Sequence, residues 1–460
     1  MGKFSMINFY IAYTLSCLSD RLWMFAVIFI LEKIGGLKLI ALSQMIRSLA
    51  VILLSGILGK WIDKQNRMKS ICFVLFINNI FISLCVLIYM IILRMNTENK
   101  NYDLLMYIGL LLNGISEVAS DGEKILLSKD WILVLINNDQ SKLCEKNATM
   151  TTLDQLTCIV APIFIGILLT NFNYDIICFI FMIWNLISWI AEYLLIKKLY
   201  NNNISLHEKS CDDYIKNKEK ISLSNVISIY FSQPTCLQSL AQSLLYLSVL
   251  GFDGLSLAYA KAHNMSEDIL GIFRGISAFT GIISAFIYMK LERKIGAVTT
   301  SLYGFFVQQI FKCCCLISLM LTGTLFDPIG YFNEWNFKDW ISNLLSTSDT
   351  SFRLSSISYS DNPSVSVYLV SIILSQIGLW LVKLSIIHQM QQSVKDHDRG
   401  AVFGFQNSLC SFFSTIKDIF VILLPDVRTF GILMIISVAF GTIPFFLALY
   451  SSMKYKIVKK

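Results

Sequence analysis

The side chains here that could do chemistry are mostly carboxylates set inside apolar runs. Asp20 and Arg21 sit near the middle of the apolar stretch 9–31, which is long enough to cross a bilayer as a helix. Holding such groups at membrane depth costs about 2.5 to 3.5 kcal/mol each. Neighbours on a helix point roughly 100° apart, so Asp20 and Arg21 each need a partner on another helix or a wet cavity. Two readings follow: buried charges that pin helices together, or an ion pathway. Asp154 and Glu192 are two further candidate acids in spans of the first half, with Asn78 and Asn185 as neutral oxygen donors. Asn185 and Glu192, seven residues apart, share a helix face, and hard cations such as calcium favour oxygen donors of this kind. Later, Gly251-Phe252-Asp253-Gly254 places an acid between glycines, the pattern of a helix broken where backbone lines a cavity.

Other chemistries find no support. The twelve Cys form no CxxC pair, and the row Cys313-Cys314-Cys315 splays around a helix as apolar packing. The four His lie in loops or near span ends. With no nucleophile–base set, phosphate loop or covalent cofactor motif, an enzyme is not expected.

The elements that must position these groups are membrane helices. At 460 residues, with 55% apolar and 15% charged residues and a mean hydropathy of +0.62, the chain reads as an integral membrane protein. The first apolar run carries Asp20 and lacks a small-residue cleavage site, so it is expected to remain as the first span. Twelve spans are expected: 8–31, 38–59, 70–93, 103–125, 147–170, 174–199, 234–260, 267–292, 297–322, 364–388, 400–423 and 428–452. The polar stretch 200–220 makes 200–233 a cytoplasmic linker between an N-terminal half, 1–199, and a C-terminal half, 234–460. The short apolar piece 131–136 is expected as an interfacial helix. Lys and Arg, with Lys124 counted among loop residues, are roughly threefold enriched on one side, which places both termini in the cytoplasm. The net charge of +7 is a consequence of topology and implies no nucleic-acid partner.

Two six-helix halves match the parallel repeat of the major facilitator architecture. The expected fold is therefore an all-α membrane protein with twelve transmembrane helices, the seventh broken. Gly59-Lys60-Trp61-Ile62-Asp63-Lys64-Gln65-Asn66-Arg67 resembles that superfamily's G-x-x-x-D-[RK]-x-G-[RK] loop, with Gly59, Asp63, Lys64 and Arg67 at the motif positions. Asn66 replaces the second glycine and is a residue that tolerates positive φ.

A more specific resemblance follows. The stretch from Asp20 to Val27, with Lys129-Asp130-Trp131-Ile132, Leu153-Asp154-Gln155-Leu156-Thr157, Trp184-Asn185-Leu186, Leu250-Gly251-Phe252-Asp253, Ile377-Gly378-Leu379-Trp380 and Gln406-Asn407-Ser408, resembles ferroportins, the iron-exporting solute carriers. The islands keep the family's order along the chain. The resemblance implies export of iron(II) or a similar divalent metal by a monomer in the plasma membrane. It also implies a calcium-type set of Asp20, Asn78, Asn185 and Glu192 and a C-half cavity with Asp253, Gly254 and Lys417; the iron-type site expected in the first half joins Asp20, at the family's position, with Asp154 and Met24. Three family metal ligands are replaced: Met24 and Lys417 stand where animal members carry His, and Gly254 where they carry Cys. Because that Cys serves peptide-hormone binding, hormone regulation is not expected. Lys417 is expected to pair with Asp253 rather than with its sequence neighbour Asp418. A transporter of another solute and a transport-dead regulatory relative stay open at this point.

Overall fold

The computed structural model describes residues 3–95, 101–136, 139–207, 223–251, 255–256, 259–260, 263, 265, 267–338, 363–424 and 426–458. Among these every regular element is helical. That follows from the long apolar runs, since in hydrocarbon a chain must satisfy its backbone hydrogen bonds within itself. Ten stretches are long and apolar enough to cross a bilayer.

The helices are α1 Lys3–Lys64, α2 Arg67–Arg94, α3 Tyr102–Ile125, α4 Ile132–Leu135, α5 Gln140–Asn171, α6 Tyr174–Asn201, α7 Leu223–Ser232 and α8 Cys236–Leu244. After them come α9 Glu267–Ile295, α10 Ala297–Ile317, α11 Pro328–Glu334, α12 Pro363–Ser393, α13 Arg399–Leu423 and α14 Phe430–Val458. The expected first two spans are continuous as one helical element, α1, yet they do not run straight on. Asn113 accepts from Trp23 Nε1 at 3.0 Å and donates to Ser43 Oγ at 3.2 Å. Twenty residues of straight helix would separate Trp23 and Ser43 by about 30 Å. The chain therefore doubles back between them, giving the spans Met6–Leu31 and Leu42–Lys64.

α3 corrects two expectations. It continues through a π-helical turn, Leu126–Trp131, into α4, forming one span from Tyr102 to Leu135. The piece 131–136 is thus core and not interfacial: Trp131 and Ile132 are fully buried, with Leu133 and Leu135 close to it. For the same reason Lys124, counted among loop residues, belongs to a span. A π-turn adds a residue to one turn and re-aims the side chains beyond it. Here it directs Asp130 inward.

The chain forms two compact units. The first comprises Met1–Cys236 with Ile387–Phe412, the second Leu237–Ile386 with Phe413–Lys460. In the first, one apolar cluster gathers Phe9, Val74, Trp131 and Leu199, and another gathers Trp23, Tyr89, Leu110 and Phe181. In the second, Tyr259 stacks on Phe430 at 4.4 Å, beside Tyr368 and Leu433.

Within the second unit α8 ends in a 3-10 turn, Leu245–Leu247, followed by an extended Ser248 (φ −82, ψ 133). Freed amides there are met by hydroxyls: Val249 N donates to Ser437 Oγ at 2.9 Å and Leu250 N to Ser248 Oγ at 3.2 Å. Asp253 and Gly254 lie outside the described residues.

Candidate metal site

Asp20 is carried by the first limb of α1 and is 6% exposed. Its Oδ1 accepts from Asn78 Nδ2 of α2 at 3.4 Å. Its Oδ2 accepts from Ser120 Oγ of α3 and lies 3.0 Å from Lys124 Nζ. Ser120 and Lys124 are one turn apart on α3, and Lys124 Nζ also donates to Ser120 Oγ at 3.0 Å. Asp20 is therefore held by two other helices, α2 and α3, and its counter-charge comes from α3, not from Arg21. Arg21 turns the other way, where its Nη2 donates to Asp154 of α5 at 3.1 Å. The two adjacent charges have found separate partners, as 100° of helical rotation requires.

A cavity of about 10 Å3 opens beside Asp20, lined by Trp23, Met24, Asn78, Ser116, Glu117 and Ser120 among others. That is roughly the room one water-sized sphere needs. It suits a single ion. The Asn78 Oδ1 is buried with no hydrogen-bond partner. So is Glu123 Oε1, on a side chain 1% exposed. Glu192 accepts from Ser188 Oγ at 2.6 Å and lies within electrostatic reach of Glu123 and Asp20.

The residues expected from the sequence thus divide. Asp20, Met24 and Asn78 share one cavity. Asp154 faces Arg21. Asn185 spends its amide on Asn79 O at 2.7 Å and Ser83 Oγ at 3.0 Å, while Glu192, two turns on, faces the acidic cluster. Glu117, Ser120, Glu123 and Lys124 lie within the expected span 103–125 but were missed, because charges near the end of an apolar window read as its solvated boundary. The signal available was Ser120-Asp121-Gly122-Glu123-Lys124, a charged run continuing straight into the apolar Ile125-Leu126-Leu127. In the second unit Lys417 is 9% exposed and its Nζ lies 3.5 Å from Asp418 Oδ1. The expected pairing of Lys417 with Asp253 falls on a residue outside the described ones.

The loop motif builds a second constellation within the first unit. Asp63, 2% exposed, accepts from Gly400 N at 2.7 Å and Ala401 N at 2.8 Å. A carboxylate thereby caps the N-terminus of α13, where free amides and the helix dipole favour negative charge. Glycines make this approach feasible. A Cβ on Gly59 would run into the Gly400 carbonyl, and one on Gly404 into the Ser55 carbonyl. Arg67 Nε donates to Asp130 Oδ2 at 2.8 Å, and Arg399 Nη1 reaches Asp130 Oδ1 at 3.0 Å. Asp130 is thus shared by two arginines. Asn147 Nδ2 donates to Gln391 Oε1 at 2.6 Å, and Lys60 lies 3.4 Å from Asp398. Lys64 ends α1 half-buried. Asn66 is extended (φ −62, ψ 142) and precedes α2, so the positive φ that Asn tolerates is not used there.

The Ferroportin1 family model matches residues 3–440. The chain belongs to the ferroportin family. Ferroportin of Mus musculus is 30% identical over 94% of this chain and 88% of its own length. A bacterial homologue of the iron transporter ferroportin, solved in an outward-facing state, matches 98% of this chain and 99% of its own with a TM-score of 0.80 at 22% identity. Its inward-facing state gives 0.60 over 98% and 100%. The human organic anion transporter MFSD10 gives 0.60 at 11% identity, over 96% and 98%, in keeping with a fold of major facilitator type. The ferroportins are a transporter family, and this member is an integral multi-pass membrane protein.

Proposed function

We propose that this chain exports iron(II), or a divalent metal of similar size, from the cytosol by alternating access, with the ion taken up beside Asp20. The observation that carries this reading is the single-ion cavity, with a buried carboxylate, the Met24 side chain and the unpartnered Asn78 oxygen at one spot. A carboxylate and amide oxygen with a thioether suit a borderline cation better than a hard one. Membership of the ferroportin family supports iron as cargo, although it is not a resident cofactor. Glu192 and Glu123 extend the oxygen-rich side toward a calcium-type role, with Asn185 set back from them.

The same reading takes the chain as a monomer of twelve spans in two six-helix halves joined at 200–233. The seventh is broken near Ser248, where the helix stops. Both termini are cytoplasmic and the membrane is the plasma membrane. In this reading the Asp63 and Asp130 contacts form the cytoplasmic latch that opens and closes during the cycle. Hormone-peptide control is absent.

Purified protein in sealed liposomes tests the proposal. Cobalt(II) or iron(II) flux should be protein-dependent and should fall at least tenfold in Asp20→Asn. Flux equal to that of empty liposomes would end it.

A further inference from the structure

Lys124 stands where the transported ion would be expected. Its Nζ lies 3.0 Å from Asp20 Oδ2 and 3.0 Å from Ser120 Oγ, at the edge of the cavity beside Asp20. An ammonium and a divalent ion cannot share one carboxylate oxygen, because two cations a few ångström apart repel far beyond thermal energy at protein dielectric. Occupancy is therefore exclusive.

Resting on the export reading above, we propose that Lys124 is a tethered counter-cation that competes with the transported metal for Asp20, ejecting the ion and neutralising Asp20 in the empty carrier. Three observations support movement of the side chain. Lysine has a long, flexible stem ending in a compact charge. Its side chain is 28% exposed while that of Asp20 is 7% exposed, so the ammonium, not the carboxylate, has space to leave. Asp121 and Glu117 are within its electrostatic reach, and Glu117, seven residues earlier on α3, lines the same cavity. Asp121 gives the displaced ammonium a place to go, beside Glu117, which lies 3.4 Å from Arg47 Nη1 and shares its charge with that arginine. The return of Lys124 matters as much as its departure. An empty carrier must reorient with Asp20 in the membrane interior, and an unpaired carboxylate there is costly. With Lys124 on Asp20, that step carries a neutral pair. Arg21 cannot serve, since it is committed to Asp154 at 3.1 Å.

The test compares cobalt(II) binding, net cobalt efflux and cobalt–cobalt exchange for the full chain in liposomes. Net efflux needs the empty carrier to return, whereas exchange does not. In Lys124→Met, cobalt binding should tighten at least tenfold and net efflux should fall at least tenfold, with exchange staying within threefold of the parent. Lys124→Arg keeps the charge and should retain net efflux within about fivefold. Unchanged or weaker cobalt binding in Lys124→Met, or equal loss of efflux and exchange, would overturn the proposal while leaving the Asp20 site standing. Cobalt binding and transport that survive Asp20→Asn would instead overturn the site, and the role of Lys124 with it.

Discussion

Arg21 donates to Asp154 at 3.1 Å, while its neighbour Asp20 is held 3.0 Å from Lys124. Two adjacent residues on α1 thus anchor two different helices, α5 and α3. Arg21 keeps 31% side-chain exposure, which weakens the pair against a fully buried one. Asp154→Asn is expected to lower stability by about 1–2 kcal/mol, the range of a charged hydrogen bond screened by water. The unfolding midpoint in detergent checks this, and an unshifted midpoint would assign the pair no structural weight.

Asp130 presents a stronger case, because Arg67 and Arg399 both converge on it and are 2% and 4% exposed. Asp130→Asn strands two buried guanidinium groups, although Arg399 keeps Asp396 at 2.6 Å. A loss of about 3–5 kcal/mol is expected, the cost of breaking a buried pair from one side. Asp130→Asn in an Arg67→Met background should cost less than in the parent. Strict additivity of the two changes would argue that Arg67 and Asp130 are not coupled.

Gly59 and Gly400 decide whether α1 and α13 can approach. Gly59→Val would push a branched side chain onto the Gly400 carbonyl and separate Asp63 from the Gly400 and Ala401 amides. Overpacking of this kind costs about 1–3 kcal/mol. Protease sensitivity of the 399–412 segment should rise in Gly59→Val and much less in Gly59→Ala. Equal protection in parent and valine variant is the outcome that would refute the close approach.

Glu192 and Glu123 lie within electrostatic reach of each other, and one Glu123 oxygen is without a donor. If oxygen donors there hold calcium, Glu192→Gln and Glu123→Gln should each weaken calcium binding at least tenfold, as read by calorimetric titration. Wild-type binding in both variants would remove calcium from this site.

His263 lies outside the spans, with its Nδ1 3.0 Å from the Tyr259 carbonyl oxygen and its ring edge-on to Tyr259 at 4.5 Å. Burial lowers its pKa below the usual 6.5, outweighing the hydrogen bond that raises it. The unfolded chain then binds more protons than the folded one as pH drops through about 6.5, so stability is lost on acidification and not on alkalinisation. The unfolding midpoint should fall between pH 7.5 and 5.5, and by a smaller amount in His263→Gln. An identical fall in both would show that other groups carry the pH dependence.

The class of protein, the membrane spans of the first unit and the isolation of Asp20 were legible in the sequence, because each rests on a local property. A run of apolar residues must become a helix in hydrocarbon, and an acid within it must find a partner, whatever the rest of the chain does. The loop motif was legible for the same reason: Gly59 and Asp63 sit at fixed spacing, one turn apart near the end of α1. Partner choice was not. Hydropathy averages over a window, so the charged run from Ser120 to Lys124 read as the end of a span, whereas the π-turn at Leu126–Trp131 carries the helix on to Leu135. That extension places Asp130 between two arginines, while the packing of α3 against α1 brings Lys124 to Asp20, and no spacing along the chain encodes either meeting. Asp154, grouped with Asp20 by residue type, was claimed by Arg21 because α5 meets the face of α1 that Arg21 presents, about 100° from the one Asp20 turns to α3. Residue types announce which charges must be paired; only the packing of helices distant in sequence decides which pairs form.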